Sequence, residues 1–83
     1  MYVHIGKDIV INSNNIITIL DIESLEKKKN LEEVLQNLKI SDKIIDVSDN
    51  NKKSLIITKK KNQNIAYITN ISSNTIGKRA EKY

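Results

Sequence analysis

The apolar positions of this chain fall in short blocks separated by polar turn formers. Tyr2 to Ile5 alternates ring and β-branched side chains and stops at Gly6, which reads as a short strand. Ile9-Val-Ile11 is a second short apolar run. The Asn12-Ser-Asn-Asn15 cluster behind it carries side chains that bond their own backbone in turns. Ile16 to Ile22 is dense in β-branched residues, too short for a stable helix and bounded by Asn and Asp, so it reads as a buried strand. Further on, Lys43 to Val47, Ser54 to Lys59 and Asn64 to Thr69 are three more strands, and Lys60-Lys-Asn-Gln63 is a polar hairpin loop between the last two.

One stretch changes period. Leu31, Val34, Leu35 and Leu38 stand at i, i+3, i+4 and i+7, a single helical stripe. Asn30 is a sound N-cap, Glu33 three residues on gives a capping-box arrangement, and Glu32 and Glu33 suit the positive end of the dipole. The helix is expected over about 30–39. Leu25 would extend its stripe backwards only by placing Lys27-Lys-Lys29 at the wrong pole. Ser72 and Ser73 are candidate caps for a short C-terminal helix over Asn74 to Lys82, which Gly77 weakens by up to ~1 kcal/mol. The order of elements predicts a small, strand-rich α+β domain with one central amphipathic helix. There is no internal repeat, no linker and no proline.

At 83 residues the chain is one domain, 1–83. A domain this small buries only about 60–65 % of its unfolded surface and often borrows core from a partner subunit. The aromatics are limited to Tyr2, Tyr67 and Tyr83, which leaves the core to isoleucine. The absence of cysteine excludes a disulfide framework and thiolate metal sites. No apolar run approaches the ~20 residues of a bilayer span. The start lacks a basic and then apolar leader, so a cytoplasmic location with no membrane partner is expected.

Charge is distributed unevenly. Residues 1–24 hold Lys7 against Asp8, Asp21 and Glu23, a net −2; residues 25–46 hold five bases and five acids; residues 47–83 hold eight bases against Asp49 and Glu81, a net +6. The whole formal excess of +4 therefore comes from the last segment, which points to a polyanionic partner. Only one of the 14 bases is Arg, and Lys lacks the planar fork that grips phosphate or guanine with two bonds. A merely solvated basic surface is the competing reading.

Candidate chemistry is sparse. His4 is the only histidine, and no second His or Cys accompanies it, so a packed or half-exposed strand residue is the reading rather than a metal ligand. Asp8, Asp21, Asp42, Asp46 and Asp49 lie at strand ends and turns, where cap and turn duty accounts for them. Nucleophile elbow, glycine-rich phosphate loop and paired acid and base are all missing, which argues against an enzyme and against a cofactor. The basic clusters remain. Asn51-Lys-Lys53 and Lys59-Lys-Lys61 flank one strand, about 20 Å apart at ~3.3 Å per residue, too far to form one compact patch. Lys78 and Arg79 on the C-terminal helix are a third cluster, an electrostatic candidate only.

Three segments carry a resemblance. The opening Met1-Tyr-Val-His-Ile-Gly6, the block Lys53-Ser-Leu-Ile-Ile-Thr58 and the ending Ile71-Ser-Ser-Asn-Thr-Ile-Gly-Lys-Arg-Ala80 together resemble the RemA/RemB family of small bacterial extracellular-matrix and biofilm regulators, and look closer to the RemB-like branch. The resemblance implies a LytTR-related domain, a closed ring of protomers, and DNA bound through basic strand-connecting loops on the outside of that ring. An Arg pair of the RemA-type loop falls on Asn51 and Lys52, with Lys53 next, and a further Arg falls on Asn15. Lys52 and Lys53 are thus the leading candidates for backbone contacts to double-stranded DNA. Each lost phosphate contact lowers affinity and flattens the salt slope by about one unit. The replaced arginines also leave open a second reading, a scaffold that has lost DNA binding and works through a RemA-type partner. RNA binding is disfavoured by the lack of an evident stacking platform.

Overall fold

In the computed structural model, residues 1–27, 31–37 and 43–81 are described. Two antiparallel strands, β1 (Tyr2–Gly6) and β2 (Ile9–Asn12), open the chain, and a single 3-10 turn over Ser13–Asn15 leads into β3 (Ile16–Asp21). Two short helices follow, α1 (Ile22–Glu26) and α2 (Leu31–Asn37), then β4 (Lys43–Asp46), β5 (Ser54–Lys60), β6 (Gln63–Thr69) and α3 (Ser73–Glu81). The second sheet has the order β3-β5-β6-β4; β3 and β6 run antiparallel to β5, and β4 runs parallel to β6.

The β-branched density of β5 is explained by burial on both faces, since Ser54 through Thr58 are all buried. Leu55 and Ile57 join Ala66, Ile68, Ile22 and Leu35 under α1 and α2. Ile56, between them, faces the other way and packs with Val3, Ile5, Ile11 and Ile76, beneath the β1–β2 hairpin and α3. The fold is thus three layers, with the four-stranded sheet in the middle. The expected α+β class and its strands are present.

One local expectation changes. Ile22 does not end β3 but opens α1, because Asp21 accepts from Ser24 N at 3.1 Å and from Ser24 Oγ at 2.7 Å, an N-cap that turns the chain. Of the helix expected over about 30–39, the described part is α2, with Leu35 in the core and Leu31 packed against it; Asn30 and Leu38 lie outside the described residues. The strand β6 is interior to the sheet, with β5 on one side and β4 on the other. The sheet's edges are β3 and β4. At the C-terminus, Ser72 rather than Ser73 is the cap, its Oγ accepting from Thr75 N at 3.2 Å.

Candidate nucleic-acid interface

The segment between β4 and β5 is short, polar and tightly held. Asp46 Oδ1 accepts from Ser48 N at 2.8 Å and from Ser48 Oγ at 2.6 Å, an Asx-type turn that starts the loop. Those bonds hold the Asp46 carboxyl below the usual carboxylate range, with help from the Lys52 and Lys7 charges and against some desolvation. Asp49 and Asn50 then take left-handed conformations, at φ 53° and 67°, which Asp and Asn tolerate better than most residues. Asn51 N donates to Ser48 O at 3.1 Å and closes the turn.

Past this point the main chain is clamped between two elements. Lys53 N donates to Thr69 O at 2.9 Å, and Lys53 O accepts from Ile22 N at 2.9 Å. Buried Ser54 adds a bond from its Oγ to Ile71 O at 2.6 Å. The backbone is therefore fixed while the side chains of Asn51, Lys52 and Lys53 are exposed. Their groove is shared with Lys27 and Ser72, and also with Asp21, Glu23 and Glu26. Three carboxylates thus stand beside three ammonium groups, a neutral balance that composition by segment had hidden.

The other candidates lie elsewhere. Asn15 is half-buried in the 3-10 turn, ahead of Ile16, which faces Thr58, whereas Asp21 at the opposite end of β3 faces Ser54. Asn15 is therefore near the Lys60 end of β5, in a groove with Tyr2, Val10 and Tyr67, and is separated from the Asn51–Lys53 loop by about 15 Å of strand within one chain. The Lys59–Lys61 cluster sits at that same far end. Strand pairing runs to Lys60 and Gln63, so the hairpin is tighter than the sequence suggests, with Lys61 left-handed at φ 54°. Lys78 and Arg79 are exposed on the last turn of α3, and Arg79 Nη1 donates to His4 O at 2.8 Å. Arg79 thus has a structural bond as well as a charge.

The histidine is exposed, and its Nε2 donates to Lys7 O at 2.6 Å, which places the ring proton on that nitrogen. Among the described residues no cluster of three His, Cys, Asp or Glu side chains is arranged to hold a metal, and no helix is long and apolar enough to cross a membrane.

The described residues thus form a small layered α+β domain that presents a backbone-anchored, exposed basic loop. Residues 2–80 match the model of the family described as RemA-like, extracellular matrix regulatory protein A-like, and the chain belongs to that family. No curated protein matches it.

Proposed function

We propose that this protein is a non-enzymatic, DNA-binding transcriptional regulator of extracellular-matrix or biofilm genes, of the RemB-like branch, acting as a cyclic homo-oligomer in the cytoplasm. The observation that carries the reading is the Asn51–Lys53 loop, where an immobilised backbone presents exposed lysines. With the backbone already held, only the side chains remain to be ordered on binding, which lowers the entropy lost. Phosphate contacts of this kind position a duplex without reading its sequence.

Repetition of the loop is what makes so modest a patch effective. Several weak contacts engaged together raise avidity by orders of magnitude. Self-assembly is favoured by the two different edges of the main sheet. Each carries one exposed isoleucine, Ile17 on β3 (58 %) and Ile44 on β4 (48 %), and neither edge has a strand partner among the described residues. Two unlike edges suit a head-to-tail contact, the kind that closes rings.

The test is fluorescence anisotropy with a labelled AT-rich duplex at low salt, with particle mass measured on the same sample. Binding by an assembled particle is expected. An intact oligomer that does not bind would overturn the reading in favour of a scaffold acting on a RemA-type partner. The carboxylates of Asp21, Glu23 and Glu26 beside Lys52 and Lys53 are the observation on that side.

A further inference from the structure

Residues 1–24 carry a net negative charge, yet their one lysine is placed against the basic loop. Lys7 occupies the β1–β2 turn at φ 48°, and its Nζ lies 3.3 Å from Asp49 Oδ1 in that loop. The turn and the loop are locked together from below. Gly6 packs so closely on Val47 that an added Cβ would stand 3.1 Å from Val47 Cγ2, and Thr69 Oγ1 donates to Ile5 O. On its other side Lys7 is connected to α3, since its carbonyl accepts from the His4 ring and the His4 carbonyl accepts from Arg79.

We infer that Lys7 is a phosphate-contacting residue that joins the Asn51–Lys53 loop to Arg79 in one basic track, and that Asp49 is the carboxylate a DNA phosphate displaces from it. The inference rests on the DNA-binding reading above. Both side chains of the pair are largely exposed, at 53 % and 71 %. Exposed pairs of this kind are weak and screened by salt, so a phosphate held by the neighbouring lysines competes effectively for the ammonium. The influence of both Lys7 and Lys52 on the Asp46 carboxyl agrees with their sharing one surface. In the resting protein Asp49 masks Lys7 and holds it in place; on the duplex it becomes a repulsive neighbour.

The experiment is a two-by-two cycle of Lys7→Gln and Asp49→Asn, read as duplex affinity across a salt series, with melting temperature and particle mass recorded for each protein. Asn suits the left-handed position of Asp49, so that turn is retained. Lys7→Gln is expected to weaken binding and lower the salt slope by roughly 0.9 per protomer contact engaged. Asp49→Asn is expected to tighten binding several-fold, with that gain largely lost when Lys7→Gln is added. Lys7→Arg should restore affinity, which a purely structural role would not require. Wild-type binding that Lys7→Gln leaves unchanged would overturn this inference and spare the DNA-binding reading. No duplex binding by intact wild-type protein would overturn both.

Discussion

Replacing Gly6 by alanine should unfold this protein at a much lower temperature, and the cause can be located atom by atom. Gly6 has φ 132°, a region that L side chains rarely enter, and it is buried at the irregular end of the β1–β2 pairing. The new Cβ would stand 3.1 Å from Val47 Cγ2, 3.4 Å from Val47 O and 3.6 Å from Thr69 Oγ1. Backbone strain of this kind costs about 1–3 kcal/mol. Overpacking a close-fitted core adds about 1–3 kcal/mol. A combined loss of ~3 kcal/mol is a large part of the 5–15 kcal/mol that holds a typical domain together. For a chain of this length it lowers Tm by roughly 12–24 °C.

Gly77 supplies the internal control, because nothing lies within 4 Å of the position its Cβ would take and it sits inside α3. Gly77→Ala should therefore raise stability by about 0.5–1 kcal/mol. Circular dichroism melts of the two variants beside wild type suffice. A Gly6→Ala protein that melts with wild type would refute the close approach of the β1–β2 turn to Val47, and with it the buttress beneath the basic loop.

Other outcomes follow from single contacts. Arg79→Lys keeps the charge but loses the bond from Nη1 to His4 O, so urea denaturation should show a loss of about 0.5–1.5 kcal/mol. The folded-state pKa of Asp46 is depressed below its ordinary 3.8, so the stabilisation it provides is present above that value and is lost as pH falls below it. Accordingly, Asp46→Asn should be less stable than wild type at neutral pH, and the two should converge in acid denaturation series below about pH 4. Glutamate at Ile17 or at Ile44 places a charge on one sheet edge, and light scattering should then report smaller particles while far-ultraviolet circular dichroism is retained.

The strands were readable because this chain spells them in isoleucine. Each β-branched block bounded by Asn, Asp or Gly became a strand within a residue or two, including β5, whose run of five buried residues signals two covered faces. The helix α1 was not readable, since Ile22 continues the β-branched run of β3 and only the bonds from Ser24 show that Asp21 breaks it. Sheet order is a long-range property that no local pattern carries. The parallel pairing of β4 with β6, which puts β6 inside the sheet, depends on the later hairpin inserting beside an earlier strand.

The candidate site was legible in part. Asn51, Lys52 and Lys53 stand together on a fixed loop, as their adjacency suggests, and Lys59–Lys61 stand apart from them. Asn15 belongs with the far end of β5, a separation set by the antiparallel register of β3 on β5. Two features had no signal in the sequence. Summing charge by segment hid Lys7, which lies in the acidic third and reaches the loop only through the tertiary contact of Gly6 with Val47. It likewise missed Glu23 and Glu26, which α1 turns toward the groove of Lys52 and Lys53.

The most direct test of a DNA-contacting loop is the salt dependence of duplex affinity for wild type and for Lys52→Ala/Lys53→Ala at matched particle mass. These side chains are exposed and form no part of the core, so the variant should fold and assemble as wild type does. The account predicts weaker binding and a shallower slope, by roughly 0.9 for each phosphate contact removed. Equal affinity and equal slope for the two proteins would contradict it and move the anion-binding surface off this loop.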